Sequence, residues 1–114
     1  MVTFACKKIP QEDLIRCSFD IKKTPYNLLI FLLGQKDPMK INEIAKQMGL
    51  ERSSIQKAIR VLLEKDLIIR SQKNLDNGGY IYLYRTKNKQ EIKQRMRDII
   101  TSWYENTKKE IERL

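Results

Sequence analysis

The chain contains no histidine, and its cysteines number two, Cys6 and Cys17. Without an imidazole it lacks the side chain that most often moves protons near neutral pH, and a common zinc ligand. Two cysteines so spaced make neither a zinc ribbon nor a Cys-x-x-Cys redox motif. There is no glycine-rich phosphate loop, no cluster of metal ligands, and no serine or cysteine with an identifiable base. The common enzyme chemistries are thereby excluded together, and no cofactor is expected. No apolar run reaches transmembrane length, and the N-terminus lacks the apolar core of a signal peptide. The expectation is a cytoplasmic protein with no membrane partner. In a reducing compartment the two thiols are expected to be free and buried or half-buried, with a Cys6–Cys17 disulfide or redox switch as the alternative.

What is present is basic charge. Of 114 residues, 23 are lysine or arginine against 14 acids, a net charge of +9. Such an excess favours an anionic partner, most often nucleic acid, but a membrane surface, an acidic protein or a merely lysine-rich surface also fit. The surplus is densest between Glu51 and Lys87. The length suits one domain with an appended element and a core that needs no disulfides.

Apolar periodicity organises the chain. Met1 to Ile9 is a weakly patterned lead-in with one extended segment through Val2–Ala5. Pro10 suits the first position of a short helix carrying Leu14 and Ile15. Thr24 suits an N-cap and Pro25 the first turn of a largely apolar central helix that Gly34 ends. Met39 to Ile41 is a candidate brief strand. Asn42 suits the cap of a helix bearing Ile44, Ala45 and Met48, stopped by Gly49. The spacing of Ile55, Ala58, Ile59, Leu62 and Leu63 predicts a second helix from Arg52 to Lys65. Leu67–Lys73 and Tyr80–Arg85 read as two strands joined by Asp76-Asn77-Gly78-Gly79, which supplies the positive-φ residues of a hairpin turn. A helix-turn-helix followed by a β-ribbon is the winged-helix plan.

Asn88 to Glu91 is a helix start signal, and nothing breaks the helix that follows. On it Ile92, Met96, Ile99, Ile100, Trp103, Tyr104, Ile111 and Leu114 share an arc of roughly 140°. Leaving that stripe in water is costly, at about 1.5–3 kcal/mol per large side chain. It is expected to pack on a second copy, its length favouring a partner over packing back on its own domain, with a ligand pocket beside Trp103 and Met96 as a further alternative. The expected fold is mostly α with a small β-hairpin, a winged helix-turn-helix plus a long C-terminal dimerisation helix. Its expected domains are 1–87 and 88–114.

The second helix of the pair is the candidate reader of double-stranded DNA. Ser53, Gln56, Lys57, Arg60 and Glu64 face outward from its apolar stripe or flank it. Arginine and lysine bind guanine edges or phosphates, glutamine can bind adenine, and hydroxyls bind phosphate oxygens. Ser53 with Gln56 equally fits a capping box. On the wing, Lys73 and Asn77 lie near the tip and are candidate backbone or minor-groove contacts, while Asp76 works against them. Tyr80, Tyr82 and Tyr84 alternate along one strand, as packing residues or as a stacking platform for RNA or unpaired bases. A winged helix used for protein contact within transcription or assembly machinery is the other alternative.

The segment MKINEIAKQMGLERSSIQKAIRVLLEKDLIIR resembles the winged helix of the archaeal TrmB-like and broader MarR-like transcriptional regulators. NLDNGGYIYLYR and IKQRMRDIITSWYENTKKEIERL resemble small single-domain archaeal members, so the resemblance covers Cys17 to Leu114. It implies homodimers on palindromic promoter DNA, with Arg52, Ser53, Ser54, Gln56 and Lys57 at reading-helix positions. Asp66 stands where the pattern usually has a helix-ending glycine, and aspartate tolerates the left-handed conformation at some cost. Longer TrmB-like proteins carry a sugar-binding domain, to which nothing here corresponds, so the resemblance assigns no effector.

Overall fold

A computed structural model describes every residue from Met1 to Leu114. The elements are β1 (Val2–Phe4), β2 (Lys7–Ile9), α1 (Gln11–Phe19), α2 (Lys23–Leu33), α3 (Ile41–Met48), α4 (Arg52–Glu64), β3 (Ile68–Asn74), β4 (Tyr80–Thr86) and α5 (Lys89–Glu112). They form two compact units, Ile21–Lys87 and a second made of Met1–Asp20 with Asn88–Leu114. The fold is mostly α with a small hairpin sheet, a winged helix-turn-helix and a long terminal helix.

In the unit Ile21–Lys87, α4 is the organising element. Its Ile55, Ala58, Ile59 and Leu62 are buried, at the three- and four-residue spacing that puts them on one helix face. That face packs on α2, α3 and β3. Leu28, Leu29, Ile44, Ile55, Leu62 and Leu67 are the largest fully buried side chains, each contributing about 1.5–3 kcal/mol by its removal from water. Ile30 remains exposed, so α2 keeps one face outside the core.

The turn between the helices depends on Gly49, whose φ of 68° lies in the left-handed region and lets its amide reach back to the α3 carbonyls. Asp66 takes the same conformation after α4, with φ 57°, where the resemblance expects glycine. Its carboxylate lies 3.1 Å from the Lys87 amine. β3 and β4 pair antiparallel from Ile68↔Thr86 to Asn74↔Tyr80, and Gly78 and Gly79 both carry positive φ in the connecting turn. The expected strand at Met39 is a bridge: Met39 and Tyr84 exchange two backbone hydrogen bonds of 2.9 Å.

Several helix starts differ from the sequence expectation. α2 begins at Lys23, so Thr24 is already helical and Pro25 sits in the first turn. A missing N–H costs nothing there, because first-turn amides have no helical acceptor. α3 begins at Ile41 with Lys40 as cap, so Asn42 is not the cap. α4 begins at Arg52 with Glu51 as cap, and no side chain caps it, so the Ser53–Gln56 capping box does not form. Pro10 is the residue before α1 rather than its first.

In the other unit, β1 and β2 form a second antiparallel hairpin, Val2↔Ile9 to Phe4↔Lys7, where a single extended segment is expected. α1 packs against α5, burying Phe19 and Ile92, and the Arg95 guanidinium lies 5.3 Å from the Phe19 ring centre. Asn88 caps α5 as expected, its side-chain oxygen accepting from the Gln90 amide at 2.8 Å. Cys6 and Cys17 are free thiols and both are exposed, not buried. Cys6 lies in the β1–β2 turn and Cys17 on the exposed side of α1. No helix is long and apolar enough to cross a membrane.

Candidate nucleic-acid interface

Burying Ile55, Ala58, Ile59 and Leu62 turns the opposite face of α4 outward, because residues follow one another at about 100°. Arg52, Ser53, Gln56, Lys57 and Arg60 are exposed on it, and Ser54 is half-buried at its edge. No acid interrupts this face between Arg52 and Arg60; Glu64 follows one turn later. The structure therefore brings the sequence-selected side chains of α4 onto one continuous basic and polar surface. Ser53 is released from capping and its hydroxyl is exposed.

Arg52 is also tied to the preceding helix. Its guanidinium donates to the Asn42 side-chain oxygen at 2.8 Å, fixing the start of α4 against the first turn of α3. Neither helix start has a side-chain cap, so first-turn amide donors there have no side-chain acceptor from the cap residue.

On the wing, Lys73 and Asn77 are exposed, Lys73 at the end of β3 and Asn77 in the turn. The three tyrosines divide by position. Tyr84 is buried at the base of the sheet, Tyr82 is half-buried, and Tyr80 is exposed near the tip. Arg70 covers Tyr82, its guanidinium carbon 4.4 Å from the ring centre, and Tyr80 leans on Tyr82 at 5.3 Å. Hydrogen bonding with Tyr82 is the first cause raising the Tyr80 phenol pKa above its ordinary value. A platform of three open rings is not formed, since one is in the core and one is capped by arginine.

Lys40, Asn42 and Arg70 carry no sequence signal as interface residues: Lys40 and Asn42 precede α4 in the chain, Arg70 lies on β3, and no local pattern distinguishes them from surface polar residues.

The winged helix and the long α5 agree with the comparisons to known proteins. The family model described as the MarR family matches residues 27–77, which span α2 through the wing turn. The chain is 33% identical over 103 residues to the uncharacterized protein MJ1503 of Methanocaldococcus jannaschii, covering 90% of this chain and 77% of that protein. It superposes on a possible transcriptional regulator from Methanosarcina mazei with a TM-score of 0.90 at 32% identity, covering 99% of this chain and 95% of that one. The chain belongs to the MarR family. MarR-family members are winged-helix transcriptional regulators rather than enzymes, in keeping with the missing catalytic groups. At the level of fold alone, a MepR variant of Staphylococcus aureus aligns with a TM-score of 0.58 and 20% identity, over 91% of this chain and 73% of that one. The MarR part of the sequence resemblance is thus the part that the comparisons support.

Proposed function

We propose that this MarR-family regulator binds double-stranded DNA as a homodimer, placing α4 in the major groove of each half of a palindromic site in the cytoplasm. The observation that carries the reading is the face of α4. It presents Ser53, Gln56, Lys57 and Arg60 outward with no acid among them, on a helix held rigid by four buried side chains. Rigid placement of arginine, lysine and glutamine is what direct readout of base edges requires. Lys73 and Asn77 on the wing would meet the flanking backbone or minor groove. The fold neighbour MepR is itself bound to an oligodeoxyribonucleotide, which supports the same use of the fold here.

The exposed apolar stripe of α5 supports the dimer. Ile99, Ile100, Trp103, Tyr104 and Ile111 are exposed along α5, Met96 is half-buried, and Ile92 alone is buried. Val2 and Phe4 on the β1–β2 hairpin of the same unit are exposed too. A second copy covers such a surface by pairing it with itself about a twofold axis. Twofold pairing places two reading helices on half-sites ~34–36 Å apart.

The test is a duplex titration across salt concentrations. Replacing Lys57 and Arg60 together with alanine is expected to weaken binding and to flatten its salt dependence. Unchanged affinity and slope remove α4 from the reading role. A protein-contact module would instead show no salt-dependent duplex binding in the wild type.

A further inference from the structure

Where α3, α4 and the wing converge lies a pocket of about 240 Å³ whose lining includes Lys40, Asn42, Arg52, Tyr80, Ile81 and Tyr82. Two cations line it and no carboxylate does. Arg70, stacked on Tyr82, adds a third positive charge to the wing strands bordering it. The acid that competes is Glu43, 3.6 Å from the Lys40 amine, with both side chains about half exposed. Exposed pairs of that kind are weak and yield to a better anion. The Asn42 acceptor oxygen is occupied by Arg52, which holds the guanidinium at the pocket. Tyr80 and Tyr82 line the same pocket, and a phenol hydroxyl is a hydrogen-bond donor at neutral pH. Cations and hydroxyl donors without a carboxylate suit an oxyanion.

The neighbourhood says which oxyanion. Arg52 is at once the wall of the pocket and the first residue of the exposed face that continues through Gln56, Lys57 and Arg60. A duplex read by that face carries phosphodiesters along both edges of the groove. We propose that the pocket seats a phosphodiester of the duplex beside the groove read by α4, with Lys40 and Arg52 supplying charge and the Tyr80 and Tyr82 hydroxyls supplying hydrogen bonds. This seat rests on the duplex-binding reading above. It makes Arg52 a residue that sets the register of the protein on the backbone, leaving base readout to Gln56, Lys57 and Arg60.

Backbone contacts act on any sequence, so the test needs no operator. The full-length protein is titrated with a random-sequence duplex of ~24 base pairs, and with one of its strands, across salt concentrations. The Tyr80→Phe, Tyr82→Phe double variant keeps both rings and the Arg70 stack but removes the hydroxyls. It is expected to bind the duplex about 5- to 20-fold more weakly with its salt slope unchanged, as befits neutral donors to a charged group. Lys40→Gln with Arg52→Gln removes the charge on one phosphate contact and is expected to lower the slope by about 0.9. Each variant is also expected to leave the discrimination between different duplexes unchanged. Full duplex affinity in the phenylalanine variant overturns the seat, and a preference for the single strand assigns the rings to base stacking instead. A pocket that binds inorganic phosphate, seen by chemical shifts of Tyr80 and Tyr82, while duplex affinity ignores all four substitutions, also overturns it. Lys57→Ala with Arg60→Ala separates the two readings. If it weakens duplex binding while the pocket variants do not, only the seat falls. If no variant affects the duplex, the duplex-binding reading falls as well.

Discussion

The Arg52 guanidinium donates to the Asn42 side-chain oxygen at 2.8 Å, joining the first residue of α4 to the first turn of α3. Because Gly49 turns the chain between these helices, their relative setting depends on packing and on this one exposed contact. The contact matters more for aim than for stability. Asn42→Ala is expected to lower stability by less than about 1.5 kcal/mol, the scale of one exposed hydrogen bond. The same change is expected to weaken duplex binding severalfold. Denaturant unfolding alongside a duplex titration checks both, and parallel losses of equal size contradict it.

The core beneath the reading face should be the least tolerant region. Leu62 is fully buried on α4, and Leu62→Ala is expected to cost about 3–5 kcal/mol through lost burial and the cavity left behind. Ile30→Ala, on the exposed face of α2, should cost far less. Urea midpoints of the two variants give the comparison, and similar midpoints would argue against α4 as the organising helix.

Charge placed in the exposed stripe of α5 should separate the protomers. Ile99→Glu with Trp103→Glu is expected to turn a dimer into monomers, because paired carboxylates cannot be desolvated across a self-complementary interface. Light scattering reads the mass directly. A wild type that is monomeric at all accessible concentrations sinks the dimer reading.

Asp66 tests the turn after α4. Its φ of 57° costs an L-residue energy that glycine does not incur, and its ion pair with Lys87 has the aspartate largely exposed. Asp66→Ala is expected to destabilise by about 1–2 kcal/mol, from a worse fit to the left-handed region and the lost pair. Asp66→Gly should be neutral or slightly stabilising. Thermal or urea unfolding distinguishes them, and equal effects would mean the pair outweighs the backbone.

Much of the fold was legible because it is written in periodicity. Ile55, Ala58, Ile59 and Leu62 announce both the α4 core face and the exposed face opposite. Asn77-Gly78-Gly79 marks the wing turn, and Asn88 caps α5 as its side chain suggests. Capping at Thr24, Asn42 and Ser53 was less legible. A cap is worth about 1 kcal/mol, and packing of the apolar stripe can start a helix a residue or two earlier for more than that. The β1–β2 hairpin was hidden because its strands are short, largely exposed and without alternation.

By itself the sequence determined which residue types lie on each face: apolar stripes for the core, basic and polar positions along α4, and an unmatched apolar row on α5. The tertiary structure alone decided which distant residues meet. Arg52 with Asn42, and Lys40 with Tyr80 around one pocket, come from different elements. Their separations along the chain follow no helical or strand period, so only the packing of α3, α4 and the wing brings them together.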